Sequence, residues 1–223
     1  MSLSLPPWLP KALGESLLIL FAVVLGFLAN DMRENRNERR DARVALERVV
    51  EEMEANLAEL RDVVGYHEGI ADAAAGLLAD IEAEESPARG ALIQRVQPSI
   101  PQGIRPPLLR DVAWRYASDR GDLDTICYPL IARIAMVYEV QELGAGSTWR
   151  RIAEAFFFNE ESFVENDLTG KLSYMNLAFI ELYRQELALI GDYESVLPLV
   201  RAELAKTSDS PCRDSRQGVI PAS

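Results

Sequence analysis

The hydrophobic positions near the start of the chain form one continuous run rather than a stripe. The fourteen residues of Ser16–Ala29 include no charged, proline or amide side chain. As a helix they span about 21 Å, which is less than the bilayer core of about 30 Å, whereas a helix that starts at Leu9 spans about 31 Å. The pattern therefore predicts a single transmembrane helix over residues 10–29, after an N-terminal segment of residues 1–9.

The longer helix includes two charges that a membrane can accommodate. Lys11 and Glu15 lie one turn apart and can pair, Lys11 can reach the headgroups, and Trp8 suits the interface between lipid and water. We expect the lipid bilayer to be a partner of this segment. The predicted anchor residues are Trp8, Lys11, Glu15, Leu17, Phe21, Val24 and Phe27.

Two other interpretations of the run are a buried core helix and a cleaved signal peptide. A core helix normally has a polar face, and this run has none for four turns. Cleavage after Ala29 would place Phe27 where a small residue belongs, and Glu15 precedes the run where basic residues are expected. Both observations favour a retained membrane helix.

More basic residues follow the apolar run than precede it. This excess favours a cytoplasmic location for the C-terminal part, although a long domain can cross the membrane whatever its flanking charge. The basic residues that follow lie in the segment 30–43, which is polar on all sides and predicts a solvated juxtamembrane helix. The arginines on this side, against Lys11 on the other, are Arg33, Arg36, Arg39, Arg40 and Arg43.

A heptad pattern follows and predicts a packed helix. It allows two interpretations: a coiled coil with a second copy, or packing against later helices of the same chain, which three heptads equally suit. Ala22 and Gly26 also form a small-xxx-small pair that suits close helix contact. The possible self-association residues are Ala22, Gly26, Leu46, Val50, Met53, Leu57 and Leu60, and Val64 completes the seam.

Helical spacing recurs through the rest of the chain, and no alternating strand pattern of useful length appears. The fold class is therefore all-α, with an α-helical bundle domain over residues 44–205 and a disordered tail over 206–223. Pro98–Pro107 is expected to be a connector, with helix resuming at Leu108 and ending near Gly121. Two later stripes each include a polar residue: Ile126, Leu130, Ile134, Val137 and Gln141, then Leu172, Met175, Phe179, Leu182, Glu186 and Leu189.

Several residues in the second half of the chain predict where helices begin, end or bend. Gly144–Gly146 predicts the end of one helix, and Thr148 is placed to cap the next. A last helix from about Thr169 is expected to bend at Gly191 or Pro198. The run Phe156–Phe158 fits core packing or a partner groove.

Composition and charge exclude several functions. A net charge of −12 and a pI near 4.7 argue against nucleic-acid binding. Cys127 and Cys212 supply neither a disulfide framework nor a zinc site, and Cys127 is expected to be a core residue. The single histidine, His67, rules out a di-iron site with two Glu-x-x-His pairs, and we expect it to be structural. We predict no enzyme activity, no metal and no cofactor.

Several segments resemble a family of uncharacterised bacterial proteins with an N-terminal membrane anchor and a helical domain. The similarity covers roughly residues 15–141 and lies in Glu15–Ile19, Asn30–Arg40, Asp111–Trp114, Gly121–Leu123 and Val137–Gln141. Where such relatives often carry tryptophan after the apolar run, this chain has Met32. The resemblance implies a single-pass helix and an all-α soluble part, and it implies no activity. The location that we expect is the bacterial inner membrane.

Two functions fit these observations. The first is a membrane-anchored interaction or scaffold protein that recruits an unknown protein partner or forms a homodimer. The second is a membrane-bound, ligand-responsive sensor or regulator with a small-molecule site between bundle helices. The candidate pocket residues are Arg115, Arg133, Trp114 and Tyr138.

Overall fold

The computed structural model describes residues 9–83, 98, 100–155 and 168–206, with side chains from Leu17 onward except at positions 19 and 168. All regular structure in these residues is helical, which confirms the predicted all-α class. The elements are α1 (Leu9–Ala83), α2 (Val112–Arg120), α3 (Tyr128–Gln141), a π-helical turn (Glu142–Gly146), α4 (Ser147–Ala153) and α5 (Leu168–Leu204).

Helix α1 is one uninterrupted helix with two different environments. It has 75 residues, which correspond to about 110 Å. Every described side chain from Leu17 to Asp41 is exposed, and Ala42 is the first buried one. The apolar run, the polar segment and the first bundle helix are therefore one continuous helix, and only the part after Asp41 belongs to the core.

No helix in the described part of the chain contains a stretch that is both long and apolar enough to cross a membrane. Trp8 and the side chains of Lys11 and Glu15 lie outside what the structure describes.

The core forms mainly between α1 and α5, which pack antiparallel along the bundle. Two ion pairs fix this register: Arg61 with Glu194, and Arg201 with Glu54, each with a closest distance of 2.6 Å. The heptad seam lies at this contact. Its members Leu46, Val50, Met53, Leu57 and Leu60 are all buried in the chain's own core. The seam thus packs against later helices of the same chain. In this fold it is not open to a coiled coil with a second copy.

Helix α2 starts later than its apolar spacing suggested. Residues 108–111 are not helical, and the helix begins at Val112, because side chains of α1 bind the backbone of the preceding segment. Its end is as expected: Gly121 has φ +70° and its N–H bonds back to Ser118 O at 3.2 Å. A residue with a Cβ would be strained at this φ, whereas glycine is not.

The predicted helix break at Gly144–Gly146 was wrong. The chain passes from α3 through the π-helical turn directly into α4, and the glycines keep right-handed helical angles. Thr148 does not cap; it lies inside α4, and its Oγ1 accepts a hydrogen bond from Arg151. Pro129 occupies the first turn of α3, where its missing N–H costs no intrahelical hydrogen bond.

Helix α5 continues through both positions at which a bend was expected, Gly191 and Pro198. The run Phe156–Phe158 and the tail beyond Lys206 lie outside the described residues.

Candidate functional site

A row of polar side chains on α1 binds an extended segment of the chain that runs antiparallel to it. We call this segment, residues 100–111, the strap. Near its start, Tyr66 donates a hydrogen bond to Gly103 O at 2.6 Å, and Nε2 of His67 lies 2.7 Å from Arg105 O. The Arg105 guanidinium pairs with Asp62, and this carboxylate raises the pKa of Arg105. The proline-rich segment is therefore a connector, as expected, but one that is fixed to the longest helix.

The far end of the strap is held by Asn56. Its side-chain amide pairs with both backbone groups of Arg110: Nδ2 donates to the carbonyl at 2.7 Å, and Oδ1 accepts from the N–H at 2.8 Å. Asn56 is buried, and its Nδ2 also lies 3.0 Å from the hydroxyl of Tyr193 and 3.2 Å from Oε1 of Gln141. Because buried polar groups need partners, this network fixes the strap, α1, α3 and α5 in one arrangement.

One helical turn before Asn56, Glu52 caps the start of α2. Its carboxylate accepts hydrogen bonds from the backbone N–H groups of Ala113 at 2.9 Å and Trp114 at 3.2 Å, and from the hydroxyl of Tyr138 at 2.9 Å. Burial, and then the adjacent Glu52 charge, raise the pKa of Tyr138, so that its hydroxyl stays a donor. Asp111 sits at the N-cap position of α2 without capping it, and a residue from another helix does so instead.

The second buried polar pair is His67 with Glu186. Nδ1 of His67 lies 2.8 and 2.9 Å from the two carboxylate oxygens, and neither side chain is exposed. Since Nε2 faces the Arg105 carbonyl, one proton is shared between Nδ1 and the carboxylate. Burial raises the pKa of Glu186, and the hydrogen bond from His67 opposes that change. Trp149 and Phe179 flank the imidazole, with ring centroids 6.3 and 5.6 Å away.

An open cavity of about 740 Å³ lies between α1 and α2. Its walls combine apolar side chains such as Val44 and Tyr116 with charges of both signs, and Glu52 forms part of its lining. The charged lining residues are Asp41, Arg48, Glu51, Glu52, Arg110, Arg120 and Asp122.

The pocket predicted from sequence is not assembled. Trp114 and Tyr138 do meet, stacked with centroids 5.4 Å apart. Arg115 instead pairs with Asp111 at 3.0 Å on the surface, and Arg133 is also exposed. Both arginines thus lie on the solvated faces of their helices, so the predicted combination of buried arginine and aromatic residues was wrong.

The predicted anchor residues that are described lie on the exposed part of α1. Leu17 is 71% exposed, Phe21 63% and Phe27 67%, and Val24 is also exposed. Ala22 and Gly26 are exposed on the same stretch, with open space around Gly26. These residues do not pack on the described part of the bundle, which counts against the interpretation as a buried core helix.

Cys127 packs against the core, as expected. It is half-buried at the N-cap position of α3 and is disulfide-bonded. Among the described residues there is no free cysteine.

Sequence reasoning missed the polar network, although two signals pointed to it. Gln141 and Glu186 occupy core-facing positions of otherwise apolar stripes, and both are buried. A polar residue at such a position requires a partner. Glu52 and Asn56 carried a weaker signal, because they lie beside the heptad seam rather than on it. His67 lies three residues after Val64, at the position that continues the spacing of the seam.

Metal chemistry finds no support in the described residues, where no group of three His, Cys, Asp or Glu side chains could hold an ion. Comparison with known proteins identifies no matching family model, curated protein or solved structure.

Proposed function

We propose that this chain is a membrane-anchored helical protein whose bundle recruits a protein partner, without catalysis of its own. The observation that carries the proposal is the exposed N-terminal part of α1. Large apolar side chains there are exposed on all sides of the helix and lie outside the core of the described residues, with Leu18 70% and Leu20 61% exposed. Others in the same stretch are Phe21, Val23, Val24, Leu25, Phe27 and Leu28.

A continuous apolar surface of this kind is uncommon on a protein that stays in water. Moving one such side chain from water into an apolar environment is favourable by about 1.5–3 kcal/mol. Lipid can surround a helix on all sides, which suits a segment that is apolar all round better than a single partner groove does. The lipid bilayer is therefore the partner that we propose for this segment.

A single-pass anchor over residues 10–29 is the finer form of the proposal. It requires Lys11 and Glu15 to pair or to lie near the headgroups, because the uncharged run of Ser16–Ala29 is shorter than a bilayer core. The bacterial inner membrane is the location that we propose.

The polar part of α1 would then act as a rigid spacer. Residues 30–41 are exposed and helical, and they hold the first buried turn about 18 Å from the end of the apolar run. This geometry supports a scaffold role, because the helix that we propose to enter the membrane is the same helix that organises the core.

Membrane fractionation tests the proposal. We expect the full chain, expressed in a Gram-negative bacterium, to pellet with membranes and to resist carbonate extraction. The double variant Leu20→Glu/Val24→Glu should shift to the soluble fraction, because two charges would enter the hydrocarbon. The matched control Asn35→Glu/Asn37→Glu places the same charges on the spacer and should stay in the pellet. Recovery of the unaltered protein in the supernatant without detergent would refute anchoring.

A ligand-responsive regulator is a second candidate, favoured by the cavity between α1 and α2. Tyr116 with Arg48 or Arg110 offers an aromatic wall and a cation for a small aromatic anion. Phenyl phosphate and benzoate are suitable probes in calorimetric titrations against the full chain and against Arg48→Ala. Saturable binding to the full chain that Arg48→Ala weakens would support this function. If neither probe gives a heat of binding, this second function is refuted.

A further inference from the structure

We propose that two copies of this chain associate in parallel through the part of α1 that precedes the bundle. The surface is one face of the exposed helix, which we call the outer seam: Leu25, Leu28, Met32, Asn35 and Arg39. Its spacing of 3-4-3-4 is typical of a helix that packs along another helix. All five side chains are exposed, and Met32 is 60% exposed. The meeting of two copies in one bilayer rests on the proposed anchor, whereas the pattern of the seam does not.

The outer seam continues the most deeply buried line of α1 without a change of phase. The same spacing leads from Arg39 to eight residues that the bundle covers, each no more than 1% exposed: Ala42, Leu46, Val49, Met53, Asn56, Leu60, Val63 and His67. This line shares Leu46, Met53 and Leu60 with the heptad seam. From Ala42 onward the chain covers this face itself, and before Ala42 the described helices leave it exposed. A second helix is therefore what the uncovered part of the face can still accept.

Charges of opposite sign flank the outer seam. One flank is acidic and consists of Asp31, Glu34, Glu38 and Asp41, and the other is basic and consists of Arg36, Arg40 and Arg43. Within one helix, neighbours three or four residues apart on each flank have the same sign and repel. Arg43 pairs with Glu47 at 3.2 Å, whereas Asp31, Arg36 and Glu38 form no ion pair with another described residue. These three charges are thus open to a partner.

The two flanks determine the direction of pairing. In a parallel pair the acidic flank of each helix lies beside the basic flank of the other, so that Asp31 of one protomer faces Arg36 of its partner and Glu38 faces Arg43. In an antiparallel pair, acid would meet acid and arginine would meet arginine. Because like charges repel, the flanks favour the parallel arrangement. Both N-terminal runs then point the same way, as two anchors in one bilayer must.

The polar members of the outer seam suit a specific pair rather than a tight one. An asparagine at one seam position fixes register and the number of strands at a cost in stability. The amides of the two Asn35 residues can bond each other, and Arg39 can reach Glu38 of the partner. A seam this short is weak in dilute solution, and confinement to one membrane raises the effective concentration of the two copies. We therefore expect the dimer in membranes.

Site-specific photocrosslinking in bacterial membranes tests the outer seam. The full chain carries p-benzoylphenylalanine in place of Asn35 or, as a matched control, in place of Asn37, which lies on the opposite side of the helix. Two differently tagged copies are co-expressed, so that a crosslinked dimer carries both tags. We expect this dimer from position 35 and about tenfold less from position 37. Equal yields, no dimer from position 35, or a product with another protein instead would overturn the proposal.

A charge exchange tests the direction and leaves the seam residues intact. Arg36→Asp should lower the co-capture of two differently tagged copies in mild detergent about tenfold, because two symmetric contacts become repulsive. Asp31→Arg/Arg36→Asp should restore it. Residues 31 and 36 lie on different sides of one helix, so this rescue reports contact between protomers. Arg33→Asp, away from the seam, is the control and should have no effect. A double variant as weak as Arg36→Asp would contradict parallel pairing.

Fractionation of the same cells separates this inference from the proposed anchor. Protein that pellets with membranes but gives no dimer from position 35 refutes the dimer and leaves the anchor. Protein in the supernatant that crosslinks from position 35 refutes the anchor and leaves the seam. Protein that pellets and crosslinks from position 35 alone supports both.

Discussion

Nδ1 of His67 lies 2.8 Å from Oε1 of Glu186, and both side chains are completely buried. This contact joins the C-terminal part of α1 to the middle of α5, and through Arg105 O it also fixes the strap. One polar pair thus links three segments that are far apart in sequence.

Removal of one member of this pair should destabilise the bundle strongly. Glu186→Leu leaves the imidazole without its buried partner, and we expect a loss of about 3–5 kcal/mol in the free energy of unfolding. Glu186→Gln keeps the shape and can donate to a neutral imidazole, so its loss should be smaller. Urea denaturation measures both, and equal losses for Leu and Gln would contradict a hydrogen-bonding role.

The same pair should make stability depend on pH. Because burial raises the pKa of Glu186, the folded state holds its proton more tightly than the unfolded state does. The resulting stabilisation is complete below about pH 4.5, and it is lost as the pH rises through the raised pKa of folded Glu186. Glu186→Gln cannot ionise, so the difference in unfolding free energy between the two proteins should change in this window. A constant difference from pH 4 to neutrality would refute the argument.

Loss of the Glu52 carboxylate should loosen the start of α2. Glu52→Ala leaves two backbone N–H groups and the Tyr138 hydroxyl without their acceptor, and we expect a loss of about 2–3 kcal/mol. Near-ultraviolet circular dichroism should also change, because Trp114 stacks on Tyr138. Glu51→Ala, at an exposed neighbouring position, is the control and should leave both measurements unchanged.

The strap should detach locally when Asn56 is replaced. In Asn56→Ala the Arg110 N–H loses its acceptor, and its hydrogen exchange should accelerate about tenfold. Trypsin should also cut faster after Arg110. Ala58→Ser, on an exposed position of the same helix, should leave the exchange rate as it is. Unchanged exchange at Arg110 in Asn56→Ala would show that other contacts hold the strap.

Two glycine substitutions should have opposite effects. At Gly121, φ is +70° and an added Cβ would lie 3.0 Å from Oδ2 of Asp124, so Gly121→Ala should destabilise by about 1–2 kcal/mol. Gly69 lies in α1 with open space around it, and Gly69→Ala should stabilise by up to about 1 kcal/mol. Thermal unfolding of both variants measures the direction of each change in stability. Destabilisation by Gly69→Ala would contradict the prediction that an added methyl group fits beside Gly69.

Much of the fold could be predicted because helical periodicity is a local property. The stripe of Leu46, Met53 and Leu60 marks the buried face of α1, and Leu182 and Leu189 mark that of α5. The end of α2 at Gly121 could also be read directly, because a left-handed angle favours glycine.

Other features could not be read in this way. Residues 108–111 have helical spacing, yet Asn56 binds Arg110 in an extended segment. Gly144–Gly146 looks like a helix end, yet the chain continues through a π-helical turn. In both cases contacts with distant residues override the local preference.

By itself, the sequence determined the helical class, the apolar faces and the contrast between the run before Asn30 and the polar segment after it. Only the tertiary structure decided that the heptad seam is closed within one chain, that Glu52, Asn56 and His67 bind the strap, and that Arg115 faces solvent. The reason is physical. A hydrophobic stripe needs only its own spacing to be recognised, whereas a buried polar side chain is defined by partners that helix register brings to it from distant parts of the chain.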